Sequence, residues 1–313
     1  MADIICCGIA TVDIITEGIH RMPEDGKLEL VESISMHTGG CAVNTAIDLA
    51  KMGEDVGIMA LVGEDGMGDF LATQLNKAKV HTAGLKRCKT TGTSSSIVFV
   101  NDTGERSFLH TTGANGMFSD RHMDWEMLKK GKILFIGGAL LMATFDGLQT
   151  AHVLKKAQDL GIYTVLDTAW DSTDRWMKSM APVLPYLDLF IPSQEEAEML
   201  SGLKNEQKMA AYFMEKGAKG VVIKQGKKGC YVKTNEESFY MPAYTVDAID
   251  TTGAGDAFVS GFLSGLLQKW PIQKTAQFAN AVGAHCVSKV GASSGIPSQE
   301  KILQFIKGRE GQV

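Results

Sequence analysis

Four signals are missing from this 313-residue chain, and each absence removes a class of function. It contains no Gly-Lys-Ser/Thr triplet, so it has no Walker phosphate loop. No G-x-G-x-x-G fingerprint follows its first strand-like segment, which disfavours a nicotinamide dehydrogenase. It has no long basic run and a formal net charge of -5, so neither nucleic acid nor an anionic membrane is expected as a partner. No apolar run is long enough to span a bilayer.

The amino terminus and the cysteines indicate a cytoplasmic protein. The first sixteen residues carry Asp3 and Asp13 and no lysine or arginine, which is not typical of a signal peptide. The cysteine spacing fits no zinc site, so the thiols are expected to be small buried side chains in a reducing cytosol. Cys6 and Cys7 should point to opposite faces of a strand. The cysteines are Cys6, Cys7, Cys41, Cys88, Cys230 and Cys286.

Most of the chain alternates short apolar runs with helical patterns, and no linker divides it. This alternation predicts an α/β fold with a mostly parallel sheet and helices on both faces. The predicted strands are 3–7, 55–62, 133–136, 163–166, 188–191 and 221–223, and predicted helices include 69–78, 145–160 and 275–290. Segments 28–36, 94–101 and 106–112 also have strand patterns, the last two flanking a hairpin turn at 102–105, and they predict a small separate sheet.

The stretch from Asp250 to Phe258 has the pattern expected of a phosphoryl-transfer site. A glycine-rich turn, Gly253-Ala254-Gly255, opens an apolar helix, so the unpaired backbone N–H groups of that helix are accessible to an anion. Asp256 places a carboxylate at the same point. Such a carboxylate can orient and deprotonate a hydroxyl while the N–H groups stabilise the moving phosphoryl group. On spacing alone, an aspartate that caps a core helix explains the same residues.

A second glycine-rich stretch, Thr38 to Ala46, indicates a substrate site. Gly39 and Gly40 allow a ligand to approach the backbone where a helix begins, and the Asn44 amide can both donate to and accept from a sugar hydroxyl. Asp13 follows the first strand, where ligands bind in open α/β sheets. Helix capping and a solvated loop aspartate are the structural alternatives for these residues.

Two further motifs have both a structural and a functional interpretation. Ser193 and Glu196 have the spacing of a capping box at the start of a helix. The turn from Lys224 through Gly226 to Gly229 permits close backbone approach and offers a lysine to phosphate. A simple β-turn with solvated lysines explains that segment nearly as well.

Taken together, these motifs resemble those of the PfkB (ribokinase-like) carbohydrate kinase family. The carboxyl-terminal signature of that family has the core D-T-x-G-A-G-D, which Asp250 to Asp256 matches. The Thr38 to Ala46 stretch resembles its amino-terminal signature, and the Lys224 turn resembles its K-x-G-x-x-G turn. The resemblance covers essentially the whole chain, from the segment at Asp13 to Gly295.

The resemblance implies one ribokinase-like domain over residues 1–313 with a β-sheet lid at roughly 14–37 and 92–112. It implies transfer of the γ-phosphoryl group of ATP to a hydroxyl of a sugar or sugar-like compound, with Mg²⁺. In many members the lids of two subunits pair, so a homodimer is expected.

The family's site roles map onto this sequence residue by residue. Asp256 would be the catalytic base, with an anion hole formed by Gly253, Ala254 and Gly255. Substrate hydroxyls would be held by Asp13, Gly39, Gly40 and Asn44. The nucleotide site would be lined by Lys224, Gly226, Gly229 and Asn280. Ser193 stands where the family has asparagine, and Glu196 would act on Mg²⁺ through water. Some members bind K⁺, here at Asp250 and the carbonyls of Thr252, Cys286 and Gly291, but Gly295 replaces a hydroxyl that some members offer.

The acceptor stays open at this stage among ribose, fructose, 2-keto-3-deoxygluconate and nucleosides. The segment Asp167 to Trp170 lacks the Asn and Arg that several sugar-acid and fructose kinases show there, which disfavours those acceptors. A nucleoside would need an apolar wall, which Ile97, Phe99 and Phe108 could supply. A non-catalytic sugar- or nucleotide-sensing protein is the alternative outside catalysis.

Overall fold

The computed structural model describes residues 2–19, 21–101 and 106–309, so the predicted hairpin turn at 102–105 lies outside the described residues. In chain order the strands are β1 (Ile4–Gly8), β2 (Thr11–Ile19), β3 (Ser33–Gly39), β4 (Val56–Gly63), β5 (His81–Cys88), β6 (Ser94–Asn101), β7 (Arg106–Thr111), β8 (Ile133–Ala139), β9 (Tyr163–Thr168), β10 (Leu189–Phe190), β11 (Val221–Lys224), β12 (Cys230–Lys233) and β13 (Ser238–Met241).

The described helices lie on both faces of a large sheet. They are α1 (Cys41–Met52), α2 (Gly66–Lys77), α3 (Trp125–Leu128), α4 (Leu148–Asp159), α5 (Trp176–Met180), α6 (Gln194–Ser201), α7 (Glu206–Glu215), α8 (Ala254–Leu267), α9 (Ile272–Val287) and α10 (Gln299–Lys307). Cys6 belongs to the core shared with α1, α8 and α9, whereas Cys7 belongs to the core on the side of α4, α6 and α7. The predicted opposite orientation of this pair is therefore confirmed. None of the helices in the described part of the chain is long and apolar enough to cross a membrane.

The large sheet is mostly parallel, as predicted. Within the described ranges it has nine strands in the order β13-β12-β11-β10-β9-β8-β1-β4-β5. The strands from β11 to β5 run parallel, and only β12 and β13 at one edge are antiparallel. The carboxyl ends of the parallel strands therefore meet at one edge, where ligands bind in such sheets.

A second sheet, called the small sheet below, has the described strand order β3-β2-β6-β7. Its first strand in the chain begins at Thr11, directly after β1. Asp13 is therefore a residue of this sheet, and its predicted position in the loop after the first strand was wrong. Asp13 pairs with His37 of β3 and with Ser96 of β6, and Ser96 pairs with His110 of β7.

Some predicted boundaries were wrong, and four strands were missed: β2, described above, and three in the large sheet. The strand expected from Leu28 begins at Ser33, because Leu28 and Leu30 are 79% and 81% exposed and belong to no strand. Alternating apolar residues predict a strand only when a partner strand and a buried face are available. The strands β5, β12 and β13 were not predicted. They lie towards the edges of the sheet, where polar sequences such as that of β5 are tolerated.

The helix expected after Gly39 and Gly40 is confirmed as α1. Gly40 precedes the helix with φ of 90°, and a Cβ there would come within 2.5 Å of the carbonyl oxygen of Ile9. Gly53 ends the helix in the left-handed conformation. The backbone at Gly40 therefore needs glycine for packing, whether or not a ligand approaches it.

Candidate active site

Asp256 lies in the first turn of α8, half-buried, and is held by α1. Asn44 Nδ2 donates to Asp256 Oδ2 at 2.8 Å. Burial raises the pKa of Asp256, and the opposing effects of Asn44, the Lys224 ammonium and the Cys41 thiol do not cancel that rise. The carboxylate is therefore oriented by an amide and remains a better proton acceptor than an exposed aspartate.

The amino terminus of α8 presents unpaired N–H groups beside this carboxylate. The N–H of Ala254 donates to the carbonyl of Thr251 at 3.2 Å. The N–H groups of Gly253, Gly255 and Asp256 find no acceptor among the residues that the structure describes. The anion hole predicted from 253–255 is therefore better described by these three N–H groups than by that of Ala254.

Gly253 is fixed in place by the loop that follows α9. Its φ is 76°, and a Cβ at this position would lie 2.5 Å from Cβ of Ala292. A side chain here would therefore meet both backbone strain and a clash. The turn Gly253-Ala254-Gly255 is called the anion-binding turn below, after the role expected from the sequence. Its shape thus depends on its contact with loop 291–294.

Asp13 stands in a row of polar side chains across the small sheet. The row is His37, Asp13, Ser96 and His110, one from each strand and all on one face. Ser96 Oγ and His110 Nδ1 are 3.1 Å apart. Burial raises the pKa of Asp13, with Ser96, His110 and His37 opposing this rise and Asp256 adding to it. The row therefore lies near the Asp256 carboxylate and offers several donors and acceptors for hydroxyl groups.

The carboxylate of Asp13 also explains one of the two glycines that precede α1. A Cβ on Gly39 would lie 2.3 Å from Asp13 Oδ2, so any side chain there would displace the carboxylate. The structure thus brings Asp13, Gly39 and Asn44 to one place. Sequence analysis missed His37 and Ser96, whose positions depend on strand register.

Lys224 and Asp167 form a buried ion pair next to the anion-binding turn. Lys224 Nζ lies 2.5 Å from Asp167 Oδ2, with side-chain exposures of 13% and 2%. Burial raises the pKa of Asp167 to about 7, with Lys224 opposing. Burial alone would lower the pKa of Lys224, but Asp167, Glu196 and Asp256 together raise it. A Cβ built on Gly255 would lie 3.5 Å from Lys224 Nζ, so the ammonium lies close to the anion-binding turn.

The predicted capping box at the start of α6 is confirmed, and it leaves part of Glu196 available. Ser193 Oγ accepts from Glu196 N at 3.3 Å, and Glu196 Oε2 accepts from Ser193 N at 3.0 Å and from Thr168 Oγ1 at 2.9 Å. The other oxygen, Oε1, accepts no hydrogen bond from a residue in the described ranges. A carboxylate fixed in this way suits a water-mediated contact with Mg²⁺.

Of the residues expected to line the nucleotide site, Gly229 and Asn280 have structural contacts of their own. Gly226 faces open space, but a Cβ on Gly229 would lie 2.0 Å from the carbonyl oxygen of Met241, so Gly229 is needed for strand packing. The Asn280 amide donates to the carbonyls of Met241 and Pro242 at 3.1 and 3.0 Å. Both N–H bonds of that amide are used in holding the end of β13.

The residues considered for potassium lie together but satisfy one another. The carboxylate of Asp250 accepts from Thr252 N and Gly291 N at 2.8 and 2.9 Å. The thiol of Cys286, whose pKa is raised to about 12 by burial, lies 3.4 Å from the carbonyl oxygen of Thr252 and 3.1 Å from that of Ala292, and its single S–H can donate to either. The carbonyls of Gly291 and Cys286 accept N–H groups at 3.2 and 3.4 Å. A Cβ on Gly295 would lie 2.2 Å from a helix carbonyl, which excludes a serine there without a shift.

Comparison with known proteins identifies the family. Residues 1–299 match the model of the pfkB family carbohydrate kinases. The chain belongs to this family. A ribokinase of Staphylococcus aureus (strain COL) is 31% identical over 91% of this chain and 94% of that protein. A deoxyribokinase of Salmonella typhi is 26% identical over 98% of this chain and 100% of that protein.

The ribokinase-like fold is shown independently by structural likeness. The structure of Arabidopsis thaliana ribokinase complexed with ribose and ATP has a TM-score of 0.86, at 24% identity, covering 98% of this chain and 99% of that chain. As a pfkB family member, this carbohydrate kinase is a phosphotransferase whose acceptor is an alcohol group.

One buried carboxyl group of this kinase was not recognised in the sequence. Asp48 lies on α1 with no solvent exposure, and neither of its oxygens has a hydrogen-bond partner among the residues that the structure describes. Burial raises its pKa well above the usual range, with the nearby Ser293 hydroxyl opposing this and Asp256 adding to it. An aspartate in a helix normally predicts a solvated position, so only the structure reveals this one.

We expect Asp48→Asn to stabilise the protein at neutral and alkaline pH. A carboxyl group whose folded pKa lies above its unfolded value of about 3.9 loses its stabilising effect as pH rises towards the folded pKa. The isosteric amide removes that charge, so the free energy of unfolding near pH 8 should rise by about 1–3 kcal/mol. Urea unfolding between pH 5 and 9, at roughly unit steps, checks this and should show a smaller loss of stability with pH. The exposed control Asp25→Asn should leave the profile unchanged. The prediction would be contradicted if Asp48→Asn destabilised the protein and left the dependence of the free energy of unfolding on pH unchanged.

Proposed function

We propose that this carbohydrate kinase transfers the γ-phosphoryl group of ATP to a hydroxyl of a sugar or sugar-like compound. The observation that supports this most is the contact of Asn44 with Asp256 at the open end of α8. It places a carboxylate between the polar row of the small sheet and the buried Lys224 ammonium. A hydroxyl can approach from the first side and a phosphate from the second.

Each part of the site then has a physical role. Asp256 orients the acceptor hydroxyl and takes its proton, and little proton transfer is needed early in a loose transition state. The N–H groups of Gly253, Gly255 and Asp256 donate to the transferred phosphoryl oxygens. Lys224 neutralises phosphate charge, and Asp13 and Asn44 bind acceptor hydroxyls.

Magnesium fits the residues present. Bound to the phosphates, it would neutralise charge there, and Glu196 would contact it through water. Potassium is a narrower proposal, because Asp250 and the carbonyls of Thr252, Cys286 and Gly291 are already paired. No step above uses it. Comparing turnover in KCl with turnover in choline chloride tests the potassium proposal.

A coupled ADP-release assay over sugars, sugar acids and nucleosides tests the function. The named relatives put ribose and deoxyribose first in the panel. The expected result is ATP- and Mg²⁺-dependent ADP release with at least one sugar, and much slower release with Asp256→Asn. If no compound on the panel causes ADP release while ATP still binds, the result would instead support a sensing protein.

A nucleoside acceptor has one observation in its favour. Of the three residues considered for a base-binding wall, only Phe108 lies on the face of the small sheet that carries Asp13; Ile97 and Phe99 lie on the opposite face. Phe108 is joined on the Asp13 face by Ile15 and Val98, and it is 61% exposed. The nucleoside arm of the panel therefore decides between a sugar and a nucleoside.

We further propose that the small sheet acts as the lid over roughly residues 14–37 and 92–112 and pairs with a second copy. The face opposite Asp13 exposes apolar side chains: Ile34 by 68%, Met36 by 47%, Ile97 by 38% and Leu109 by 60%. The six cysteines, all within the described ranges and all free, fit the proposed cytoplasmic location.

Ile34→Glu combined with Leu109→Glu should produce a monomer. Burying two carboxylates in an apolar interface costs several kcal/mol, so the apparent dimer Kd should rise by about 10²-fold or more. Sedimentation velocity over a concentration series measures this. Leu148→Glu, at a residue that is 77% exposed on α4, is the matched control and should leave the dimer intact. A wild-type protein that is monomeric throughout would refute the pairing.

A further inference from the structure

A cavity lies next to the site described above. It has a volume of about 560 Å³ and is bounded by the carboxyl-terminal halves of α1 and α2, the strand β3 and loop 291–294. This volume is typical of a small-molecule site. Asp256, Asn44 and Lys224 do not line it, and it shares His37 and Gly291 with the residues described above.

The charge of this cavity has one sign. Lys51, Lys77, Lys79 and His37 line it, and no aspartate or glutamate is among its lining residues. This runs against the chain as a whole, which has 36 acidic and 31 Lys and Arg residues. Within the described ranges, Lys77 and Lys79 form no ion pair. Lys51 Nζ donates one hydrogen bond, to the carbonyl of Ser293 at 2.6 Å, and keeps further N–H bonds for a ligand.

The lining of the cavity is also partly apolar. Met36, Ile47 and Phe70, called the apolar wall below, belong to it, together with small residues of α1 and of loop 291–294. A bare inorganic ion would contact only the lysines and leave these apolar side chains exposed to water. A ligand with an anionic group and an organic part can contact both the lysines and the apolar wall.

We propose that this cavity, called the basic cavity below, binds a phosphorylated small molecule. The phosphate monoester group lies among Lys51, Lys77 and Lys79, where a dianion gains charge-assisted hydrogen bonds. The organic part lies against Met36, Ile47 and Phe70. The ligand class is therefore a phosphate monoester of a small metabolite, bound outside the catalytic site.

Loop 291–294 connects the basic cavity to the anion-binding turn. Ser293 accepts from Lys51, Gly291 donates to Asp250, and Ala292 packs against Gly253 at the start of α8. A ligand that binds Lys51 can therefore act through Ser293 on loop 291–294, which shapes the catalytic anion site. This contact path gives an occupied cavity a route to influence turnover.

Calorimetric titration with sn-glycerol 3-phosphate, inorganic phosphate and glycerol tests the proposal. Wild type should bind the ester more tightly than inorganic phosphate and should not bind glycerol. The double variant Lys77→Gln, Lys79→Gln should weaken ester binding at least tenfold, since two charge-assisted contacts are lost. The matched double variant Lys204→Gln, Lys208→Gln changes the same charge on exposed residues near α7 and should bind like wild type. Lys224→Gln, which alters the catalytic site, should also keep ester binding.

Three results would each overturn the proposal. Equal ester affinity in wild type and in the Lys77, Lys79 variant would mean that the phosphate group binds elsewhere, such as at the amino terminus of α8. Inorganic phosphate that binds as tightly as the ester would show that the apolar wall takes no part. No heat of binding at millimolar ester, with the fold verified by thermal unfolding, would leave the cavity without this ligand.

Discussion

Asp256→Asn should lower kcat about a hundredfold or more while ATP affinity stays close to that of wild type. The substitution keeps the shape of the side chain and an oxygen that can still accept from Asn44 Nδ2. It removes the negative charge that, in the proposed mechanism, orients and deprotonates the acceptor hydroxyl. ATP contacts the N–H groups of the anion-binding turn and Lys224 in the proposed site, and those groups are unchanged. Steady-state kinetics with the best acceptor and calorimetric titration with ATP measure both effects.

A matched control separates this effect from a general loss of charge. Asp25→Asn, in an exposed turn, makes the same chemical change and should keep wild-type kcat. Asn44→Ala should lower kcat less than Asp256→Asn and also raise the KM for the sugar, because Asn44 holds Asp256 and, in the proposed site, binds an acceptor hydroxyl. Near-normal turnover in Asp256→Asn would remove Asp256 from the role of base.

The elements that the sequence predicted correctly are those specified by neighbouring residues. The turn before α8, the start of α1 after Gly40 and the capping box at Ser193 and Glu196 each depend on a few consecutive residues. Glycine conformation and capping hydrogen bonds act over that same short range. The alternation of strands and helices then sufficed to predict a mostly parallel sheet.

Features that depend on distant pairing could not be predicted. His37, Ser96 and His110 join Asp13 only because strands far apart in the chain align in one register. The same register places Phe99 on the face opposite Asp13, which no local pattern indicates.

Burial within a helix is the second kind of missing information. Asp48 lies in a helix whose start the sequence indicated. Its complete burial, however, depends on how α1 packs between the large sheet and α8. The thiol of Cys286 likewise pairs with the carbonyls of Thr252 and Ala292, whereas only its own carbonyl was considered from the sequence.

Lys224→Met should impair both folding and ATP use. It leaves the Asp167 carboxylate buried without its ion partner, and removing one member of a buried pair typically costs about 3–5 kcal/mol. It also removes the ammonium next to the anion-binding turn, so kcat/KM for ATP should fall by about 10²-fold. Urea unfolding and initial rates at varied ATP measure the two effects. Because the pKa of Asp167 is already raised to about 7, the stability loss should be smaller below that pH, where Asp167 can take up a proton.

The double variant Lys224→Met, Asp167→Asn separates the structural role from the catalytic one. It removes both charges together, so no unpaired ion remains and most of the lost stability should return. ATP use should not return, because the double variant still lacks the ammonium near Gly255. Recovery of kcat/KM for ATP along with stability would mean that Lys224 serves only to neutralise Asp167. The nucleotide side of the site would then depend on the N–H groups of α8 alone.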